Sequence, residues 1–367
     1  MAVDKPGLLI AGGGTGGHLF PAIAVAEAWE AETGGEVLFV GTPWGLESRL
    51  LPQQGRRLAT LRVGRLKGSG TVVRIKTLLG LPRALLEAMG IVRSFRPRAV
   101  LGVGGYASAP AVAAARLLGV PALLHEQNAR PGLANRWLSR LVREVLISFP
   151  EAAAGFPGRT TTLTGNPVRR GLDRPAAAEP PGAERPLSIL VFGGSQGARI
   201  FSEIVPPAVA LVAATQPGAV RLRQQAVEAD RPQLESFYRH KGIPAEVLPF
   251  IHDMERAYRE ADLVICRAGA TSVAELAAMG KPALLIPYPF AADDHQTANA
   301  AALVAAGGGW MRRQEELDER WLADFLGDRL ADRAGLLRAG ENARTLGHPD
   351  AARRVVARIL ALSGSGR

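Results

Sequence analysis

The stretch LLIAGGGTGGHLFP, residues 8–21, joins an apolar run to a glycine-rich turn and then to a segment of helical character. Five of the six residues from Gly12 to Gly17 are glycine, more than a tight turn alone requires. Glycine lets backbone N–H groups come close to a ligand, and a following helix adds unpaired donors and the positive end of its dipole. The same device returns after the midpoint in LSILVFGGSQGARI, residues 187–200. A chain that builds it twice is expected to hold two nucleotide-binding α/β halves facing one cleft.

The surrounding pattern extends that reading. Apolar runs at residues 7–11, 37–40, 57–61, 99–102, 122–125 and 144–147 alternate with helical stretches, one starting at Pro21 and a long one ending at Arg96. Such alternation predicts right-handed βαβ crossovers and a parallel sheet. Residues 172–186, LDRPAAAEPPGAERP, lack apolar periodicity and read as a linker. Beyond them, runs at 187–192, 220–224, 246–248, 263–266 and 283–286 alternate with helices at 200–214, 272–279 and 296–306, and a second doubly wound sheet is expected. The division is then an N-terminal lobe over 1–171, a linker over 172–186 and a C-terminal lobe over 187–349. The amphipathic stretch 350–362 suits a cap on either lobe.

A length of 367 residues accommodates two cores. Cys266 is the single cysteine, so neither an intrachain disulfide nor a cysteine metal cluster is available, and a reducing cytoplasm fits. No apolar run reaches the ~18 to 20 residues a membrane helix needs. The formal net charge of +10 calls for an anionic partner: nucleic acid, a nucleotide or an acidic membrane surface.

Gly12, Gly14 and Gly17 satisfy the dinucleotide spacing G-x-G-x-x-G, by itself a weak signal. A nicotinamide nucleotide would need an acid at the end of the second strand, where Val40, Gly41 and Thr42 stand instead. His18 follows the loop at or just before the start of the helix, where the dipole disfavours imidazolium. It reads either as a general base or as a residue that shapes the loop. A second glycine turn, GVGGYASAP at residues 102–110, carries Gly104, Gly105 and Tyr106, and the next strand ends in LHEQNARPG, residues 124–132, with His125, Glu126 and Asn128. Ligands of open α/β sheets bind beyond the carboxyl ends of strands, so these loops are expected to converge.

In the second half, CRAGATSVAEL, residues 266–276, places Arg267, a glycine turn, Thr271, Ser272 and then Glu275. Thr271 or Ser272 can cap the helix while its N–H groups hold a diphosphate, and Glu275 can accept from a ribose diol; a capping box between Ser272 and Glu275 fits the spacing equally well. Polar groups crowd residues 293–299, including Asp293, Asp294, His295, Gln296 and Asn299, a density suited to sugar hydroxyls. No D-x-D triple is present. Helix dipoles and Arg267, rather than an obligatory metal, are therefore expected to meet the leaving-group charge, with a divalent cation only as an aid.

Taken together, GGGTGGHLFP, GVGGYASAP, LHEQNARPG, GNPVR (165–169), GGSQGAR (193–199), CRAGATSVAEL and DHQTANA (294–300) resemble the bacterial MurG glycosyltransferases, in order and with similar spacing up to about Ala306. That family moves N-acetylglucosamine from UDP-N-acetylglucosamine to undecaprenyl-pyrophosphoryl-N-acetylmuramoyl-pentapeptide, lipid I, forming lipid II for peptidoglycan. The resemblance implies an inverting enzyme of the GT-B fold: two Rossmann-like doubly wound parallel-sheet lobes, the C-terminal one holding the donor and the N-terminal one the acceptor. By motif, donor binding falls on Thr15, Gly16, Gly17, Asn128, Arg169, Ser195, Ile251, Arg267, Ala270, Thr271, Ser272, Val273, Ala274, Glu275 and Gln296, with Glu275 on the ribose and Gln296 on the sugar. His18 is the implied base; Gly104, Gly105, Tyr106 and Glu126 fall on the acceptor side. His295 replaces the first of two glutamines, and RQQA at 223–226 replaces the family's HQSG, so no role is carried onto either. The closing helix 350–362 matches one that crosses back to the N-terminal lobe.

The family works peripherally at the cytoplasmic face of the membrane, alongside other cell-wall synthesis proteins. Residues 61–98 suit that setting: Arg62, Arg65, Lys67, Arg74, Lys76, Arg83, Arg93, Arg96 and Arg98 face the single acid Glu87 and interleave with apolar residues. Nucleic acid is not expected, because no aromatic interleaving or nucleic-acid module accompanies the charge. Two other readings compete: another GT-B enzyme, such as a diacylglycerol glycosyltransferase or UDP-sugar epimerase, and a basic membrane-associated module that only holds a nucleotide.

Overall fold

Seven parallel strands form the first sheet: β1 (Gly7–Ala11), β2 (Glu36–Gly41), β3 (Leu58–Thr60), β4 (Ala99–Gly102), β5 (Ala122–Glu126), β6 (Glu144–Ile147) and β7 (Thr161–Leu163), in the order β3-β2-β1-β4-β5-β6-β7. Six make the second: β8 (Leu187–Phe192), β9 (Val220–Gln225), β10 (Ala245–Leu248), β11 (Leu263–Cys266), β12 (Ala283–Leu285) and β13 (Gly309–Met311), in the order β10-β9-β8-β11-β12-β13. The structure is a computed structural model that describes residues 6–64, 71–172, 185–194 and 197–364, without the side chains of 71–79. Most of the linker, and Arg65 and Lys67 of the basic segment, lie outside the described residues. The two sheets belong to separate units, Met1–Arg170 with Asp350–Arg367, and Gly171–Pro349.

Helices cover both faces of each sheet, so central strands are apolar throughout rather than alternating. Leu8, Leu9 and Ile10 on β1, and Leu263, Val264 and Ile265 on β11, are all essentially inaccessible. Strands β7 and β13 were not expected: the segments TTL and GWM are three residues long, too short for a period to register.

The helix after β1 runs Gly16–Thr33, five residues earlier than the proline suggested. Proline favours the first helical position, but here Pro21 lies inside the helix, and the last two glycines of the loop are helical. Trp29 anchors that helix in the core. Against it lies the C-terminal helix Ala351–Gly364, burying Val355, Val356 and Ile359 in the first unit. Arg358 fixes it further by pairing at 2.9 Å with Glu144, which is buried on β6. Among the described residues, no helix is long and apolar enough to cross a membrane.

Candidate active site

In the first unit, β1 and β4 are neighbours whose crossovers run to opposite sides, the switch point where an open sheet leaves a crevice beyond its strand ends. Each ends in a glycine loop, and the loops interlock. Gly12 N donates to Val40 O at 2.9 Å and Gly13 N to Gly104 O at 3.3 Å. A Cβ on Gly12 would lie 2.2 Å from Gly104 O, and one on Gly105 would lie 2.5 Å from Gly13 O. With Gly12, Gly104 and Gly105 at positive φ, no other residue type fits these positions without strain.

His18 lies in the first turn of the Gly16–Thr33 helix, not before its start. Its Nδ1 is 3.2 Å from Gly13 O and 3.4 Å from Thr15 Oγ1. A carbonyl only accepts, so the Gly13 contact requires a proton on Nδ1, and in the neutral ring the lone pair then sits on Nε2. The ring lies over Gly104, where a Cβ would come within 2.9 Å of Nε2. Thr15 is the helix N-cap through its backbone, with Gly17 and Thr15 exposed and Gly16 buried.

Glu47, which sequence reading passed over, lies beneath this loop. One carboxylate oxygen accepts from Gly14 N at 2.6 Å; the other accepts from Thr42 N and Thr42 Oγ1, both at 2.9 Å. An acid thus does reach the end of β2, but it is buried and bound to the loop, not presented to a ribose. Thirty-three residues separate it from Gly14, so no local pattern could have marked it.

At the end of β5, Glu126 accepts from Asn128 N at 3.0 Å, Asn128 Nδ2 at 3.1 Å, Gly132 N at 3.2 Å and Asn135 Nδ2 at 2.9 Å. Burial pushes its carboxyl above the usual range and these four donors oppose that shift. Glu126 therefore organises the loop that carries Asn128, and its surroundings are not those of a group facing an acceptor. Tyr106 packs edge-on against Trp44, with ring centres 5.5 Å apart. Arg169 stacks over Phe20 of the first helix at 4.6 Å.

His125 is buried with Nε2 3.1 Å from Gly165 O. Desolvation lowers its pKa from 6.5 to about 4, against the Gly165 bond, with the nearby His18 as a lesser contribution. The unfolded chain binds this proton first as pH falls, so stability is complete above about pH 6.5 and declines towards pH 4, by roughly 3 kcal/mol. Urea midpoints at pH 7 and pH 4.5 should diverge less in His125→Gln than in the unaltered chain.

In the second unit, β8 and β11 form the corresponding switch point. Gly193, the first residue after β8, donates to Gln225 Oε1 at 3.2 Å, and a Cβ there would lie 2.3 Å from Ala198 N. Gln225 falls in the RQQA stretch to which no role was carried; it braces this glycine loop from the end of β9. Ser195 lies outside the described residues.

The helix after β11 is Ala270–Met279, and its N-cap is Gly269, in an extended conformation with no side-chain cap. Thr271 and Ser272 are inside the first turn, so neither caps the helix and no capping box forms. Val273 N already bonds Gly269 O at 3.0 Å and the Val273 side chain is core. Ala270, Thr271 and Ser272 supply the N–H groups that an α-helix leaves unmatched within itself. Glu275 is buried and accepts from Tyr258 Oη at 3.1 Å, the side-chain contact that displaces the capping box. Ile251 is buried, and Ala274 is partly exposed. Gln296 Oε1 accepts from Tyr288 N at 2.9 Å, tying the start of the His295–Ala305 helix to the loop after β12.

Arg267 does not stand ready for a leaving group. Its guanidinium donates to Ile286 O at 3.2 Å, Pro287 O at 3.1 Å and Gln314 Oε1 at 2.6 Å, and lies between Phe201 and Tyr288. These neutral acceptors and rings make it a brace for the end of β12. Cys266 is buried, which pushes its thiol well above the ordinary range and leaves it unreactive.

Two Rossmann-like units, each with a braced glycine loop at its switch point, make the architecture of a nucleotide-binding α/β enzyme. Residues 8–147 match the glycosyltransferase family 28 N-terminal domain and residues 188–355 its C-terminal domain, so the chain belongs to glycosyltransferase family 28. Within it the chain is a member of the MurG family. It is 54% identical over 364 residues to the UDP-N-acetylglucosamine--N-acetylmuramyl-(pentapeptide) pyrophosphoryl-undecaprenol N-acetylglucosamine transferase of Magnetococcus marinus, covering 97% of each chain. The enzyme of the same name from Geobacter sp. strain M21 is 45% identical, over 96% of this chain and 95% of that one. Among solved structures, Acinetobacter baumannii MurG matches with a TM-score of 0.80 at 34% identity, covering 97% of this chain and all of that one. The UDP-GlcNAc 2-epimerase of Neisseria meningitidis, at 12% identity and a TM-score of 0.67, shares the GT-B fold alone.

Proposed function

We propose that this enzyme transfers N-acetylglucosamine from UDP-N-acetylglucosamine to the C4 hydroxyl of lipid I, inverting the anomeric centre and releasing UDP. One observation supports this chemistry: the Gly13 carbonyl, 3.2 Å from His18 Nδ1, favours a proton on Nδ1 and so a lone pair on Nε2 in the neutral ring. In this reading Nε2 takes the proton of the acceptor hydroxyl as that oxygen attacks the anomeric carbon, and the bond to the UDP oxygen breaks on the opposite face. The first turn of the Ala270–Met279 helix offers N–H groups and a positive dipole end to the diphosphate, while Glu275 accepts from the ribose and Gln296 reads the sugar. Charge on departing UDP is met by these donors, so turnover persists in a chelator.

The purified chain is tested with UDP-N-acetylglucosamine and either a lipid I analogue, diacylglycerol or no acceptor. UDP release only with the lipid I analogue supports the proposal. Release with diacylglycerol, or epimerised donor without acceptor, supports the competing enzymes; no turnover in any arm supports a nucleotide-holding module.

Peripheral attachment to an anionic membrane surface accompanies this reading. Arg83 is partly neutralised by Glu87 at 3.1 Å, but this helix and others of the unit expose apolar side chains: Leu86, Leu117, Leu133 and Trp137 are each more than 60% exposed. Leu133 and Trp137 share one helix face, and Arg140 stacks on Trp137 at 4.7 Å. Basic groups around an apolar surface suit anionic headgroups at ~1 kcal/mol each, screened beyond ~8 Å at physiological salt. Sedimentation with anionic vesicles should fall as salt rises, while equal binding to neutral vesicles would contradict the electrostatic part.

A further inference from the structure

The proton on His18 Nδ1 and the carboxylate of Glu47 meet the same peptide group. Gly14 N–H donates to Glu47 Oε2 at 2.6 Å, and Gly13 C=O, the other end of that plane, accepts from His18 Nδ1 at 3.2 Å. The unit is planar and stiff, so fixing its N–H fixes the direction of its carbonyl. A carboxylate on the N–H also polarises the carbonyl and strengthens it as an acceptor.

The surroundings are shaped for this carboxylate. Cβ atoms on Gly13, Gly41 and Gly45 would come within 2.2 to 2.5 Å of Glu47 side-chain atoms, and Thr42 holds the second oxygen through both its N–H and hydroxyl. Glu47 is 1% exposed, without an ion pair among the described residues. A buried carboxylate bound only by neutral donors is costly to desolvate. Its charge is accounted for if it is aimed at a charge that appears during turnover.

We infer that Glu47 is a positioning residue for His18, acting through the Gly13–Gly14 peptide: it selects the Nδ1–H tautomer, aims the ring, and stabilises the imidazolium formed when Nε2 takes the acceptor's proton. It offsets the neighbouring helix N-terminus, which opposes that charge. The inference rests on His18 being the base.

Glu47→Gln keeps an acceptor for one N–H and removes the charge. Turnover should fall about tenfold or more, as for other groups that orient a working histidine, with the donor KM changed less than twofold. Because imidazolium loses its distant partner, the acid limb of the kcat profile should move to lower pH by about half a unit. A lower kcat with an unmoved limb would reduce Glu47 to a structural brace and overturn the inference. In a His18→Ala background, Glu47→Gln should have little further effect; independent, multiplying losses would overturn the coupling even with His18 upheld as the base. Near-normal turnover of His18→Ala alone would remove the base assignment and this inference with it. Should Glu47→Gln fail to fold, imidazole nitrogen NMR on the unaltered chain decides: a protonated Nδ1 with bare Nε2 supports the inference, and the reverse tautomer overturns it.

Discussion

Replacing His18 by alanine lowers turnover about 10²- to 10⁴-fold while donor affinity stays near that of the unaltered enzyme. The size follows from what a positioned base contributes, and the selectivity from its location: His18 lies in the first helical turn after the glycine loop of the first unit, whereas the donor contacts inferred from the second unit remain intact. The acid limb of the pH profile flattens as well, since the base whose protonation shapes that limb is gone. Steady-state kinetics across pH with isothermal titration of UDP would check both parts. Near-normal turnover would mean that the ring merely closes the loop over Gly104.

Glu275→Ala weakens UDP binding about ten- to a hundredfold, or ~1.5 to 3 kcal/mol, the range for a lost charge-assisted hydrogen bond. Burial sharpens the expectation: Glu275 is 2% exposed beside the Tyr258 hydroxyl, so its side chain is already desolvated before any ligand binds. Tyr258→Phe, which leaves the carboxylate but removes one donor, should cost less than Glu275→Ala. Calorimetry showing unchanged UDP affinity in Glu275→Ala would move the ribose contact elsewhere.

Much of this was readable from local pattern, because glycine loops between an apolar run and a helix need only neighbouring residues to declare themselves. Both switch-point loops and the parallel sheets emerged that way. Misreadings arose where a local rule competed with tertiary structure. Pro21 obeyed the preference for a helix start, yet the helix begins at Gly16. Ser272 and Glu275 have the spacing of a capping box, yet Gly269 is the cap and Tyr258 takes the carboxylate. Arg267 carries the charge a diphosphate wants, yet the carbonyls after β12 and Gln314 hold it. What stayed invisible was the bracing: Glu47 and Gln225 reach the glycine loops from 33 and 32 residues away, and only the sheet order brings them there.

The central claim is that this chain forms a β-(1→4) linkage between N-acetylglucosamine and lipid I in a single inverting step. Product from UDP-N-acetylglucosamine and a lipid I analogue, examined by proton NMR for the configuration at the new anomeric carbon, tests it most directly. The account predicts a β-linked disaccharide at C4 with one UDP released per linkage; an α-linked product, or UDP released without any disaccharide, would contradict it.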